Sequence, residues 1–438
     1  MAQAEIDWKL EPRSSEDLLQ YDWFMVESSW RVDALRQNLA ILSAFLDERN
    51  PKNTHTDMFR EQAAKAISCL RWLPAYWGQR LTRRTSGSKA HLIIALADHF
   101  EPTFLPDSPS THADFGEQER RVEEWCRVYP EIFGAWRDAD GFPFRHTYFS
   151  PAEQYHPSLI NRLAEHCHDG WGEIEVHLHH GVDFPDSEDN TRRSLIEFRD
   201  ALVGHGCLSR WDGEGMPRYA FAHGNWALAN SAGGRFCGVD AEMQVLSETG
   251  CYADMTLPSF PSPAQTSKIN SLYEISLPLD QRAPHRRGRD LIVGQAPSVF
   301  PLMIQGPLGL NFSERGRSLP VPKIENSGLT TAYPATMARL KLWRKTGITV
   351  DGQPDWIFIK LHCHGMDPTD KEAMLGNQIR KFLQELVDDA RTSSKYDVHF
   401  VTAREMVNIA LAACDGRNGR PGEYRDYRLR LISPSKAA

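Results

Sequence analysis

The histidines of this chain are grouped. Of 17, five fall in one stretch (His166, His168, His177, His179 and His180), and His362 and His364 form a second pair. An imidazole can ligate a metal ion or move a proton near neutral pH. Two of them spaced His-x-His on an extended strand point the same way, because alternate residues share a face. His177 with His179 and His362 with His364 both have that spacing. Asp98 could join two such imidazoles in a facial triad around one divalent ion, with positions left open. Zinc is the expected ion, with Co, Ni, Mn or Fe as further candidates. His180 is the alternative second imidazole if the chain turns after His179. An open divalent ion activates water and polarises a carbonyl. Hydrolysis then needs a base, for which Asp98 or Glu101 is available, and an acid, His362 or His364. Any one of these histidines alone reads as a hydrogen-bonded structural residue; the paired set points to a metal.

Such groups need elements to hold them, and from residue 90 the sequence reads strand, loop, helix, repeated. HLIIALA (91–97) is a continuous apolar run that predicts a buried strand. Strands follow at 146–149, 173–179, 220–224, 251–257, 356–364 and 398–402. Helices are expected from Pro157 and at about 187–204, 240–249, 335–346 and 370–390. This alternation implies parallel βα units, as an open sheet or a barrel. Ligands in such folds sit at the carboxyl ends of the strands, and the polar clusters fall there: Asp98 to Glu101 after the first strand, His177 to His180, His223-Gly224-Asn225-Trp226, and His362 to His364. Trp226 and Asn225 are candidate contacts for a sugar ring.

Residues 1–85 read as a separate helical segment, with helices at 30–48 and from Thr56 to Pro74. RWLPAYWGQRL (71–81) is expected to dock that segment onto the main domain. Residues 258–333, rich in Pro, Gly and Ser, read as a solvated insertion whose basic run (Arg282, His285, Arg286, Arg287, Arg289) could alternatively be a flap for an anionic substrate. Residues 413–438 are left as a tail.

The 438 residues carry 50 Lys+Arg against 58 Asp+Glu, a net charge of −8, which argues against a nucleic-acid binder. No apolar run approaches the ~18–20 residues that span a bilayer. The N-terminus lacks an apolar signal region, and the eight cysteines form no CxxC pair, so a cytoplasmic location with reduced thiols is expected. No GxSxG elbow, Walker A sequence or Rossmann fingerprint occurs in strand–helix context.

The order of the motifs resembles the polysaccharide deacetylase (NodB-type) superfamily of carbohydrate esterases. ALADHFEP stands where that family carries a paired-Asp motif, and GEIEVHLHHG looks like its metal-histidine strand, with His177 as the first ligand. FAHGNWAL takes the place of its third motif, with His223 at the Arg. ETGCYADMTLPS places Asp254 on a substrate-side Asp, and WIFIKLHCHG places His362 on the catalytic acid. The resemblance spans about residues 90–412. It implies an irregular (β/α)7-type barrel and a metal-dependent hydrolase removing N- or O-acetyl groups from a carbohydrate, an oligosaccharide or a sugar-containing small molecule. The family's second histidine falls on Gly181, so that His179 or His180 must substitute. Two other readings compete: a glycoside hydrolase using a carboxylate pair such as Glu101 and Asp254, and a catalytically silent carbohydrate-binding protein on the same scaffold.

Overall fold

The computed structural model describes residues 69–83, 88–105, 112–315 and 322–432. The chain divides into two compact units, Met1–Arg71 and Trp72–Ala438; the helix expected at 30–48 and most of the one from Thr56 lie outside the described residues. Residues 69–82 are helical and run through Pro74, where the sequence suggested an end. Packing wins over the proline here. Trp72 is fully buried, edge-on to Phe260 at 6.2 Å between ring centroids.

The second unit is a mixed α/β structure around a large, mostly parallel sheet. Its strands are β1 (Ala90–His99), β2 (His146–Pro151), β3 (Gly172–Leu178), β4 (Ser209–Trp211), β5 (Glu214–His223), β6 (Cys251–Asp254), β7 (Leu272–Ile275), β8 (Gly288–Asp290) and β9 (Leu302–Ile304). After a separate hairpin, β10 (Gly309–Arg315) and β11 (Pro322–Glu325), come β12 (Trp356–Cys363), β13 (Tyr396–Val401) and β14 (Leu429–Leu431). The main order is β12-β1-β2-β3-β5-β6-β9-β7-β8, with β13 also on β1. Pairing is parallel from β12 through β9 and antiparallel from β9 to β7 and β8.

Residues 258–333 are therefore no surface insertion, since they supply β7, β8 and β9. These three strands are three or four residues long between prolines and glycines, too short to show a period. The basic run is tied down as well: Arg282 and Arg286 donate to the carbonyls of Asn230 and Ser231, and Arg289 pairs with Glu274. The expected tail is also part of the fold, because β14 pairs antiparallel with β4.

The sheet is buried on both faces, and the alternation of side chains sorts them. Leu92, Ile94 and Leu96 of β1 pack with Val122, Trp125 and Tyr129 of the helix Phe115–Phe133. Ile93, Ala95 and Ala97 pack with Tyr252, Ile304, Phe358 and the helix Ala403–Cys414. Each fully buried Leu or Ile contributes about 1.5–3 kcal/mol. The same phasing holds at the strand ends, and it decides which polar residues can meet.

Candidate metal centre

Glu101 lies two residues past β1 and gathers imidazoles from two other strand ends. Its Oε1 is 3.0 Å from His179 Nε2 and 3.7 Å from His177 Nε2, and its Oε2 is 3.0 Å from His364 Nδ1. His99, the last residue of β1, has its ring between His177 and His364, at centroid separations of 4.5 and 4.8 Å. His177 and His99 follow the β1/β3 phase that faces Ala95 and Ala97. Only a glycine fits at Gly224, at the end of β5, because an added methyl would overlap the His179 ring.

The tautomers follow from the outer partners. His177 Nδ1 is 2.6 Å from the Ala222 carbonyl, so it carries the proton and leaves the Nε2 lone pair facing Glu101. That Nε2 is buried with no hydrogen-bond partner among the described residues, since 3.7 Å is beyond bonding range. His179 Nδ1 is 2.7 Å from Glu153 Oε1, which holds its Nε2 toward Glu101. A ligating histidine whose other nitrogen donates to a carbonyl or carboxylate is the usual arrangement around a bound metal. Donors on one tetrahedral zinc are about 3.4 Å apart for bonds of about 2.1 Å, and the 3.0 and 3.7 Å separations bracket that value. Glu101, His177 and His179 thus fit a divalent ion by donor type, orientation and spacing.

The carboxylate and the imidazoles carry charge unequally. Burial would raise the Glu101 pKa, but the imidazoles gathered around it, His177 nearby and His179 and His364 in hydrogen-bond contact, hold it well below the usual carboxylate range. Burial would lower His179, yet Glu101 and Glu153 push it up to about 10. His364 is also raised, burial being outweighed by Glu101. Burial keeps His99 and His177 low and neutral.

Other expected site residues lie elsewhere. Asp98 is on the opposite face of β1 from His99, fully buried, with Oδ2 2.9 Å from His146 Nδ1 and Oδ1 accepting the Gly365 N–H at 2.6 Å. It does not join His177; it forms a separate buried group of candidate metal donors with His146 and Cys363. His180 turns away from His177 toward His223 and Glu242. His223 follows Tyr219 and Phe221 onto the helix-packed face, where it is fully buried against His180. Asp254 is fully buried and accepts from the Thr256 N–H and hydroxyl; burial pushes it up to about 7. Its carboxylate is thus engaged by Thr256, whereas that of Glu101 is engaged by His179 and His364. His362 lies on the His99 side, its Nδ1 3.5 Å from Ser327 Oγ. Asn225 and Trp226 are half-buried in the loop beginning at Gly224, and Asn225 Nδ2 is unpartnered among the described residues.

Sequence reasoning missed Glu153, which follows the end of β2 and obeys the same strand-end rule. A cleft lined by Arg120, Arg121, Trp125, Met366 and Lys371 lies on the helix side, with Gly365 at its edge, and includes none of the clustered histidines. No helix among the described residues is long and apolar enough to cross a membrane. No protein-family model matches the sequence, and no curated protein matches it significantly.

Proposed function

We propose that this chain is a metal-dependent hydrolase, deacetylating an N- or O-acetylated carbohydrate or sugar-containing precursor at the centre formed by Glu101, His177 and His179. The observation that carries this reading is the buried, unpartnered Nε2 of His177 aimed at a carboxylate that already holds two further imidazoles. The motif order shared with the polysaccharide deacetylases supports the choice of substrate. The parallel run β12-β1-β2-β3-β5-β6-β9 supplies the strand number of a (β/α)7-type barrel, which would be complete if β12 and β9 also met.

A divalent ion held there would supply an activated water and a polarised acyl oxygen. The residues around it divide the remaining work. His99 is held neutral by burial, with Nδ1 unpartnered, and is the proton acceptor on that face. His364 is partly exposed, is raised by Glu101, and is the group to protonate the leaving amine or alcohol. Asn225 and Trp226 are positioned through Gly224 next to His179 and are the substrate contacts.

The test is acetate release from a panel of acetylated sugars and nucleotide-linked sugars, with metal content measured on the same samples. The expected result is turnover that chelation abolishes and zinc restores, with turnover and one bound ion per chain lost in His177→Ala and Glu101→Gln. Turnover indifferent to chelation, or full metal content in both variants, would sink the reading. Sugar binding without acetate release would favour the silent carbohydrate-binding alternative.

A further inference from the structure

Behind the first centre, on the helix-packed face, lies a second set of donors that the proposed hydrolysis does not use. His180 follows the end of β3, His223 ends β5, Cys237 lies in the loop after β5, and Glu242 opens the helix Glu242–Thr249. All four are buried, and one donor atom from each lies within 4.8 Å of the others. His180 Nε2 is 2.9 Å from Glu242 Oε1 and 3.2 Å from His223 Nε2, and Cys237 Sγ is 3.5 Å from Glu242 Oε2.

From this geometry we infer a second, structural metal site, in which His180, His223, Cys237 and Glu242 enclose a zinc-class divalent ion. The inference is independent of the hydrolase reading, because none of these residues belongs to the first centre. Thiolate, imidazole and carboxylate together suit zinc, and four buried protein donors make a closed site.

The surroundings supply separate support. His180 Nδ1 is 3.0 Å from Asp186 Oδ2, which fixes the proton on Nδ1 and aims Nε2 inward. Thr191 Oγ1 in turn donates to that Asp186 oxygen at 2.8 Å. Two backbone amides, Asn230 N–H and Val239 N–H, point at Cys237 Sγ at 3.3 and 3.4 Å. Amides aimed at sulfur favour the thiolate. Burial raises the Cys237 thiol in the metal-free chain, and a bound cation reverses that preference. Binding would expel the Cys237 thiol proton and the proton shared by His180 Nε2 and Glu242. His223 Nδ1 accepts the Asn225 N–H at 3.1 Å, so His223 must move its proton from Nε2 to Nδ1 and give up that contact to ligate.

The test uses the full-length protein, with zinc per chain measured after dialysis and cobalt-loaded samples scanned in the near ultraviolet. A thiolate-to-cobalt charge-transfer band is expected in the wild type. It should vanish in Cys237→Ser and persist in Cys363→Ser, His177→Ala and Glu101→Gln. Cys237→Ser and the near-isosteric Glu242→Gln should each hold one ion fewer than the wild type. If the hydrolase centre binds nothing, the wild type would hold a single ion insensitive to Glu101→Gln, and the second site would stand. A wild-type spectrum without the band overturns the proposal whatever the variants do, as does an unchanged band and metal content in Cys237→Ser.

Discussion

Glu153 is the residue on which the first centre's precision depends. Its Oε1 accepts from His179 Nδ1 at 2.7 Å, and its Oε2 accepts the His179 backbone N–H at 3.3 Å. Ring orientation and tautomer are therefore set by one partly exposed carboxylate. Removing such a partner typically costs about 10–100-fold in metal affinity, and that loss is expected for Glu153→Ala in competition titrations against a chelator, with the thermal midpoint little changed. At this scale the strand-end rule located His177, His179, His364 and Glu101, which the structure brings together, although Glu101 was expected as a base and not as a ligand. It grouped Asp98 with His177, whereas the structure sets Asp98 beside His146 and Cys363. The reason is that β1 is apolar on both faces, so no polar alternation reveals which face a given residue takes. The phase appears only when Leu92 and Ile93 are seen in different packing layers.

Among the elements, the helix Ala403–Cys414 is unusual in that all twelve of its residues are buried. A helix with no solvent face depends on its end groups being satisfied. Thr402 caps it, accepting from the Glu405 N–H at 3.3 Å while Glu405 reaches back to the Thr402 N–H at 3.1 Å. Thr402→Ala should cost about 0.5–2 kcal/mol in urea unfolding; a smaller shift would mean that packing alone holds the terminus. The longer strands and most helices were readable from apolar runs and turn residues. The helix Phe115–Phe133 was not picked out, and it carries Pro130 in its last turn. β7 to β9 gave no signal because three or four residues cannot establish a period.

The second unit, which makes up most of the molecule, is closed by charge. Arg425, near the C-terminal end, pairs with Asp138 at 2.8 Å, Asp140 at 3.0 Å and Glu405 at 3.0 Å, while Arg145 pairs with Glu405 from another side. Burial would raise Glu405, but Arg145, Arg425 and Arg404 together hold it below its ordinary value of 4.5. A carboxylate lowered on folding stabilises the fold above its unfolded pKa, and that contribution is lost as pH falls below about 4.5. Asp140, lowered by His399 and Arg425 against its burial, acts in the same sense; Asp138, raised by burial, acts against it. Glu405→Gln should lower stability at pH 7 by about 3–5 kcal/mol, the typical cost of breaking a buried pair, and flatten the acid limb of the stability–pH curve. Parallel curves for variant and wild type would contradict this account.

The helix through Pro74 bears on where the gene can be cut. Gln79 donates to the Ile269 carbonyl at 2.7 Å, and Arg83 donates to the carbonyls of Asn270 and Thr346. A fragment opened at Ala90, where the strand pattern begins, would strip Trp72 from Phe260 and leave those three carbonyls to water. Shortened versions meant for crystallisation or assay should therefore start ahead of Trp72.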